Sequence, residues 1–239
     1  TNVIGATLGK FEEFKNVTLK SDKALIEDVL QYVDKMVETA NMADEFAKKV
    51  FTNDTFLTQL IANKDAILVA SRSRAPMRII ANNPSICKNV LRNPVARDAI
   101  IKSNIAIGEF TSSAIAMKEI FTSSTDFFTV IMNNEEWYTA LANSKVAMAE
   151  ASTSVMVMNK IADSGAVMYE ISASTTAMNA VISSTTAMNA VVNSITAMDA
   201  IANSVTAMRV VTGSVNAMGA VTGSIIAINA IVKSAAAIN

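Results

Sequence analysis

The chain is expected to fold as an all-α solenoid of short helices with a ten-residue repeat, preceded by an N-terminal helical capping or attachment region. Three observations carry that expectation. A decapeptide register runs through most of the chain, its apolar columns fall within one arc of a short helix, and residues suited to ending and starting helices sit between the units. Ser occupies positions 144, 154, 164, 174, 184, 194, 204, 214, 224 and 234. Met occupies 148, 158, 168, 178, 188, 198, 208 and 218, followed by Ile228 and Ile238, and Val or Ile occupies every tenth position from 161 to 231. Self-similarity at a fixed period is the signature of a repeat architecture.

Residues 1–50 form the first region. Leu25, Ile26, Val29, Leu30, Val33, Met36 and Val37 recur at helical spacing across 21–40, with Glu27, Asp28, Asp34, Lys35 and Glu38 off that face. Residues 43–50 read as a second helix. Residues 1–19, with Phe11, Phe14, Val17 and Leu19 beside charges, read as an irregular terminus or an extended docking arm. This region is expected to cap the array, whose end would otherwise expose its core.

Residues 51–239 form the solenoid, degenerate over 51–140 and regular over 141–239. In the degenerate part, column 3 holds Asn83, Asn93, Ser103, Ser113, Ser123, Asn133 and Asn143, and column 7 or 8 holds Ile67, Met77, Cys87, Ile107, Met117, Phe127 and Trp137. Asn83-Pro84 and Asn93-Pro94 read as an N-cap followed by Pro at the first helical position, where its missing N–H is harmless. The regular units, such as Ser184-Thr185-Thr186-Ala187-Met188-Asn189-Ala190-Val191, follow S-x-x-A-M-x-A-V/I.

A continuous helix would rotate its apolar stripe by about 80° at each decapeptide, so no partner could follow it. A helix of about eight residues, roughly 12 Å long, in each unit avoids this. Ala177, Met178 and Val181, then Ala187, Met188 and Val191, then Ala197, Met198 and Ile201, each fall within an arc of about 100° and form the expected core. Columns 5, 6 and 9 face outward with Thr185, Thr186, Asn189, Asp199 and Arg209. Pairs such as Asn193-Ser194 and Gly213-Ser214 join a helix-stopping residue to a capping Ser. The alternative is a β-solenoid, since Val, Ile and Thr favour strands and an even period keeps side-chain parity. Two adjacent apolar columns and the abundance of Ala, Met and Asn weigh against it.

Composition narrows the chemistry. The 239 residues carry 20 basic and 21 acidic side chains, no His and a single Cys, which excludes imidazole catalysis, a disulfide framework and a Cys/His zinc site. Residues 171–239 hold only Asp199, Arg209 and Lys233 as charges, so this surface is expected to be shielded by copies or partners or built on Ser, Thr and Asn. No apolar run reaches the length of a transmembrane helix. The Met column reads as core packing rather than a soft-metal ladder, because no Cys or His completes a site. No cofactor or metal is expected.

Glu12-Glu13 and Glu135-Glu136 diverge by about 100° on a helix and read as solvated surface. No G-x-S-x-G occurs, and Gly5-Ala6-Thr7-Leu8-Gly9 lacks the rest of a phosphate loop. Thr175, Thr176, Thr185 and Thr186 do not continue as an ice-binding ladder, since Ile195 and Val205 follow. Arg72, Arg74, Arg78, Lys88, Arg92, Arg97 and Lys102 form a basic stretch opposed in sequence only by Asp98. Without interleaved aromatics it does not suggest nucleic acid; it reads as a solvated or intersubunit surface and as a candidate contact for an acidic partner. An enzyme and a small-molecule substrate are not expected.

The units around Ser174-Thr175-Thr176-Ala177-Met178-Asn179-Ala180-Val181 resemble the near-identical S-x-x-A-M-x-A-V decapeptides of some tail-fibre and tail-associated proteins of large tailed bacteriophages. The resemblance covers the array and not residues 1–50. It implies a virion structural role, in host attachment or in building a tail or fibre, and carries no catalytic residues. The implied partners are copies of the chain and other virion tail proteins, in a particle assembled in the host cytoplasm. The alternative is a repeat module that binds a protein or the host cell surface. Because Asn239 is the ninth position of a unit and no polar cap closes the array, the natural protein is expected to continue.

Overall fold

A computed structural model describes residue 61 and residues 64–122 and 126–234. The helices expected over 21–40 and 43–50, the arm over 1–19, the start of the array over 51–60 and the last residues, 235–239, lie outside the described residues. Seventeen helices are described: α1 Lys64–Ser71, α2 Arg74–Asn82, α3 Pro84–Arg92, α4 Pro94–Ile101, α5 Asn104–Thr111, α6 Ala114–Thr122, α7 Phe127–Ile131, α8 Glu135–Asn143, α9 Lys145–Ala151, α10 Val155–Ala162, α11 Gly165–Ala173, α12 Thr175–Ile182, α13 Thr185–Val192, α14 Ile195–Ala202, α15 Val205–Thr212, α16 Val215–Thr222 and α17 Ile225–Lys233. Among the described residues there is no strand, so the β-solenoid alternative is overturned and the fold is an all-α solenoid of short helices.

Most of the described helices start at an Asn or Ser cap that the sequence marks. The Asn83 side chain accepts from the Ile86 N–H and the Asn93 side chain from the Val95 and Ala96 N–H groups, each with Pro at the next position. In the regular part the Ser174, Ser184, Ser194, Ser204, Ser214 and Ser224 hydroxyls accept from the backbone N–H three residues on, at 3.2 Å. Helices of eight or nine residues are too short to persist alone, so their stability comes from what they pack against.

They pack on the third helix along. In the unit ending at Phe127, α1 lies against α4, α2 against α5 and α3 against α6. In the unit beginning at Phe128, α8, α11, α14 and α17 stack on one side, α9, α12 and α15 on a second, and α10, α13 and α16 on a third. Three decapeptides therefore make one coil, with a sharp corner between successive helices, 98° between α16 and α17. All nine expected core residues, Ala177, Met178, Val181, Ala187, Met188, Val191, Ala197, Met198 and Ile201, are buried. Column 2 joins them at Ala142, Ala162, Val192 and Ala202, widening the buried arc to about 140°. Of the expected outward columns, 5 and 9 are exposed at Thr185, Asn189, Ile195 and Asp199, while column 6 is half-buried at Thr186 and Thr196.

The serines also tie the coils together. While its oxygen caps one helix, the Ser174 hydroxyl donates to the Ala142 carbonyl at 2.7 Å, Ser184 to Ser152 at 2.6 Å, Ser194 to Ala162 at 2.7 Å, Ser204 to Ser172 at 2.6 Å, Ser224 to Val192 at 2.5 Å and Ser234 to Ala202 at 2.5 Å. Ser103 donates in the same way to Ser71, and Ser113 to Ala81 at 2.7 Å. Every acceptor lies 32 residues back, in the last turn of a helix or, for Ser152, at its C-cap, at the corner one coil earlier. Such carbonyls have no intrahelical partner. One hydroxyl thus satisfies a helix start in its own coil and a helix end in the previous one.

The register changes once. In the first unit the caps Asn83, Asn93, Ser103 and Ser113 stand in column 3; in the second unit Asn134, Ser144 and the later serines stand in column 4. Ser113 and Asn134 are 21 residues apart, one more than two decapeptides, and the division between the compact units falls in this interval. Asn133 and Asn143 share column 3 with the first unit's caps but play a different part. Both end helices instead, donating from Nδ2 to the Thr129 carbonyl at 2.8 Å and the Thr139 carbonyl at 2.9 Å.

The helix-stopping glycines work differently from the usual left-handed cap. Gly213 and Gly223 have φ of −76° and −80°, so these corners demand no glycine. Within helices, a Cβ added at Gly108 or Gly219 would meet nothing within 4 Å. Gly108→Ala and Gly219→Ala are each expected to stabilise the chain by about 0.5–1 kcal/mol, seen as a raised midpoint in denaturant unfolding.

Candidate functional site

Among the described residues the groups able to do chemistry are dispersed or sealed. The column from Met148 to Met198 lies inside the coils, and no cluster of three or more His, Cys, Asp or Glu side chains among the described residues could hold a metal ion. Cys87 is buried in α3, and burial, with a smaller contribution from Glu119, pushes its thiol up to about 12. That removes the thiolate a nucleophile needs. Glu135 and Glu136 are exposed in the first turn of α8, where the helix dipole favours carboxylates. Tyr138 has its phenol raised by desolvation first, then by Glu135, Glu170 and Glu136. Glu170 belongs to α11, one coil later, so carboxylates from two stacked helices share this side.

The basic stretch does not form one patch. Arg74 and Arg78 on α2 both reach Glu109 on α5, the helix packed against α2, at 3.3 and 3.2 Å. This corrects the expectation that only Asp98 opposes the stretch. Lys102 pairs with Asp98 at 2.8 Å. Lys88 and Arg92 are exposed on α3, a different side from the α2–α5 pair, Arg72 is exposed at a corner, and Arg97 is half-buried on α4. The charges therefore spread around the coil. Exposed pairs of this kind contribute about 0–1 kcal/mol each, so they set the surface field rather than the fold.

Two open grooves lie between stacked helices of the second unit. One, about 540 Å³, runs between α9 and α12 beside Lys145, Thr153, Thr176 and Asn179. The other, about 500 Å³, runs between α11 and α14 beside Tyr169, Thr196, Asp199 and Asn203. Neither brings an acid, a base and a nucleophile into convergence. Exposed apolar side chains are the feature missed in sequence: Val155, Tyr169, Ile195, Val205, Val215 and Ile225 all point outward. The signal for most of them was the drift of column 5 from Thr to Val and Ile. Among the described residues no single helix is long and apolar enough to cross a membrane. No family model matches the chain, and no curated protein matches it in sequence.

Proposed function

We propose that the chain is a non-enzymatic structural protein, the rod or shaft of a phage tail fibre or tail-associated assembly. The observation that carries this reading is a stack of coils sealed internally by a thin Ala/Met/Val core and by serine ties, whose outer surface in the last third combines very few charges with exposed Val and Ile. Such a surface suits burial against copies of the chain or other virion tail proteins more than free solution. The decapeptide resemblance supplies the virion setting. In a solenoid of this kind the number of units sets length, since each repeat contacts only its neighbours.

The test is mass spectrometry of purified particles together with electron microscopy of a variant carrying three extra coils copied from residues 174–203. The protein is expected in the particle, with its rod lengthened by roughly 25–30 Å, about 8–10 Å for each stacked helix layer. A chain absent from particles and recovered as a free monomer would overturn the proposal. A second reading, a module binding a protein or the host cell surface, draws on the groove beside Tyr169, Asp199 and Asn203. It requires a ligand held in that groove and no dependence of particle dimensions on coil number.

A further inference from the structure

We propose that the chain pairs with a second copy of itself by setting one acidic, apolar-studded side of its second unit against a basic side of the other copy's first unit. The inference rests on the reading that the chain works packed against its own copies, and it names the two surfaces.

The first surface is the side built from α8, α11, α14 and α17. It carries Glu135, Glu136, Glu170 and Asp199, and the first three of these helices contain no Lys or Arg. Glu135 and Glu136 on α8 and Glu170 on α11 bring carboxylates from two stacked helices to this side. Between and beyond the carboxylates stand Tyr169 at 69% exposed, Ile195 at 66% and Ile225 at 77%. An exposed aromatic and two exposed isoleucines in one stack form the kind of surface that interfaces bury at their centre, with charges around it.

The second surface is the side built from α3 and α6. Lys88 and Lys118 are exposed and stand 30 residues apart, one coil above the other, with Arg92 closing α3. Among the described residues none of these three makes an ion pair, unlike Arg74, Arg78 and Lys102. Glu119, half-buried beside them, is the one acidic residue on these two helices. Stacked like charges about 10 Å apart repel one another in the isolated chain, and a carboxylate surface relieves that repulsion.

The occupant follows from complementarity within one sequence. The complementarity is local to the two sides: α3 and α6 hold three basic side chains and one acidic, and α8, α11 and α14 hold four acidic and none basic. A second copy supplies the missing sign to each side. The charges steer and align the encounter, and Tyr169, Ile195 and Ile225 supply buried apolar area once the copies meet. If both contacts form between the same two chains the pair is closed; if each chain uses its two units on different neighbours a filament grows.

Sedimentation velocity of the full chain between about 25 and about 500 mM salt tests this, because the Debye length falls several-fold over that range. Self-association is expected at low salt and weakens as salt rises. Lys88→Glu with Lys118→Glu, and separately Glu135→Lys with Glu136→Lys, should each weaken it by about tenfold or more. Mixing the two variants, or combining all four changes in one chain, should restore it. Circular dichroism should be unchanged throughout, since all four residues are exposed. A chain that stays monomeric at low salt, association indifferent to both double variants, or loss without restoration on mixing would each overturn the inference. The virion reading is judged apart from this, by presence in particles.

Discussion

Met178→Asp is expected to cost about 3–8 kcal/mol and to melt the coils around it. Met178 is fully buried between stacked helices, with Ala177 beside it and Val181 one turn on. Removing the thioether loses about 2–5 kcal/mol of packing and transfer energy. Placing a carboxyl group in the same apolar space adds about 1–3 kcal/mol for an unsatisfied buried polar group, even when it protonates. Because each helix is stable only against its neighbours, the loss spreads to α9 and α15, which sandwich α12. Hydrogen exchange should report lost protection across residues 145–212. Met178→Leu should cost less than about 1.5 kcal/mol, since volume and polarity are nearly kept. Met156→Asp provides the internal contrast: Met156 is 51% exposed on α10, and the same substitution there should cost far less. Equal effects at 178 and 156 would contradict a core that is defined by stacking.

The Met column shows why so much of the fold was legible. A ten-residue period is incommensurate with a continuous helix, and Ala177, Met178 and Val181 converge only if each unit is a separate short helix. Asn83-Pro84 and Asn93-Pro94 declared their helix starts because an acceptor side chain followed by a residue without an N–H has few other uses. The number of helices per coil was not legible, because the decapeptide gives every side the same environment and leaves the corner angle to backbone geometry. Column 2 escaped notice because Ala142, Ser152, Ala162, Ser172, Ile182 and Val192 vary in size and polarity and average to a weakly apolar character. The one-residue register change was masked by Asn133-Asn134, where either residue is competent to cap.

The candidate site was less legible for a related reason. Glu109, the partner of Arg74 and Arg78, lies 35 and 31 residues away from them, a distance meaningful only once three helices are known to make a coil. The exposed apolar residues were visible as Ile195, Val205, Val215 and Ile225 in a column expected to face outward, but which of them share one side of the coil depends on the three-helix stacking. Tyr169 and Ile195 look unrelated in sequence and stand on adjacent stacked helices.

Serine's second role carries the last prediction. An N-cap can be Ser, Thr, Asn or Asp, yet the regular array holds Ser in all ten of its units. At Ser174, Ser184, Ser194, Ser204 and Ser224 one small hydroxyl both accepts from its own helix and donates to a carbonyl one coil below, which needs both functions in one group. Asp can accept but cannot donate when ionised, and Asn is longer. Ser194→Ala removes a cap worth about 1 kcal/mol and leaves the Ala162 carbonyl without its donor, at about 1–3 kcal/mol more. The expected total is about 2–4 kcal/mol, measured by denaturant unfolding. Ser214→Ala should cost about 1 kcal/mol, because the Ser214 hydroxyl caps Ala217 and makes no bond to the coil below among the described residues. Ser164, whose side chain makes no cap bond, should tolerate Ala within about 0.5 kcal/mol. Ser194→Asp separates the two roles: it keeps the cap acceptor, loses the donor and sets a carboxylate against a carbonyl. If it proved as stable as the parent chain, the tie between coils would contribute nothing, and capping alone would have to explain the serine column.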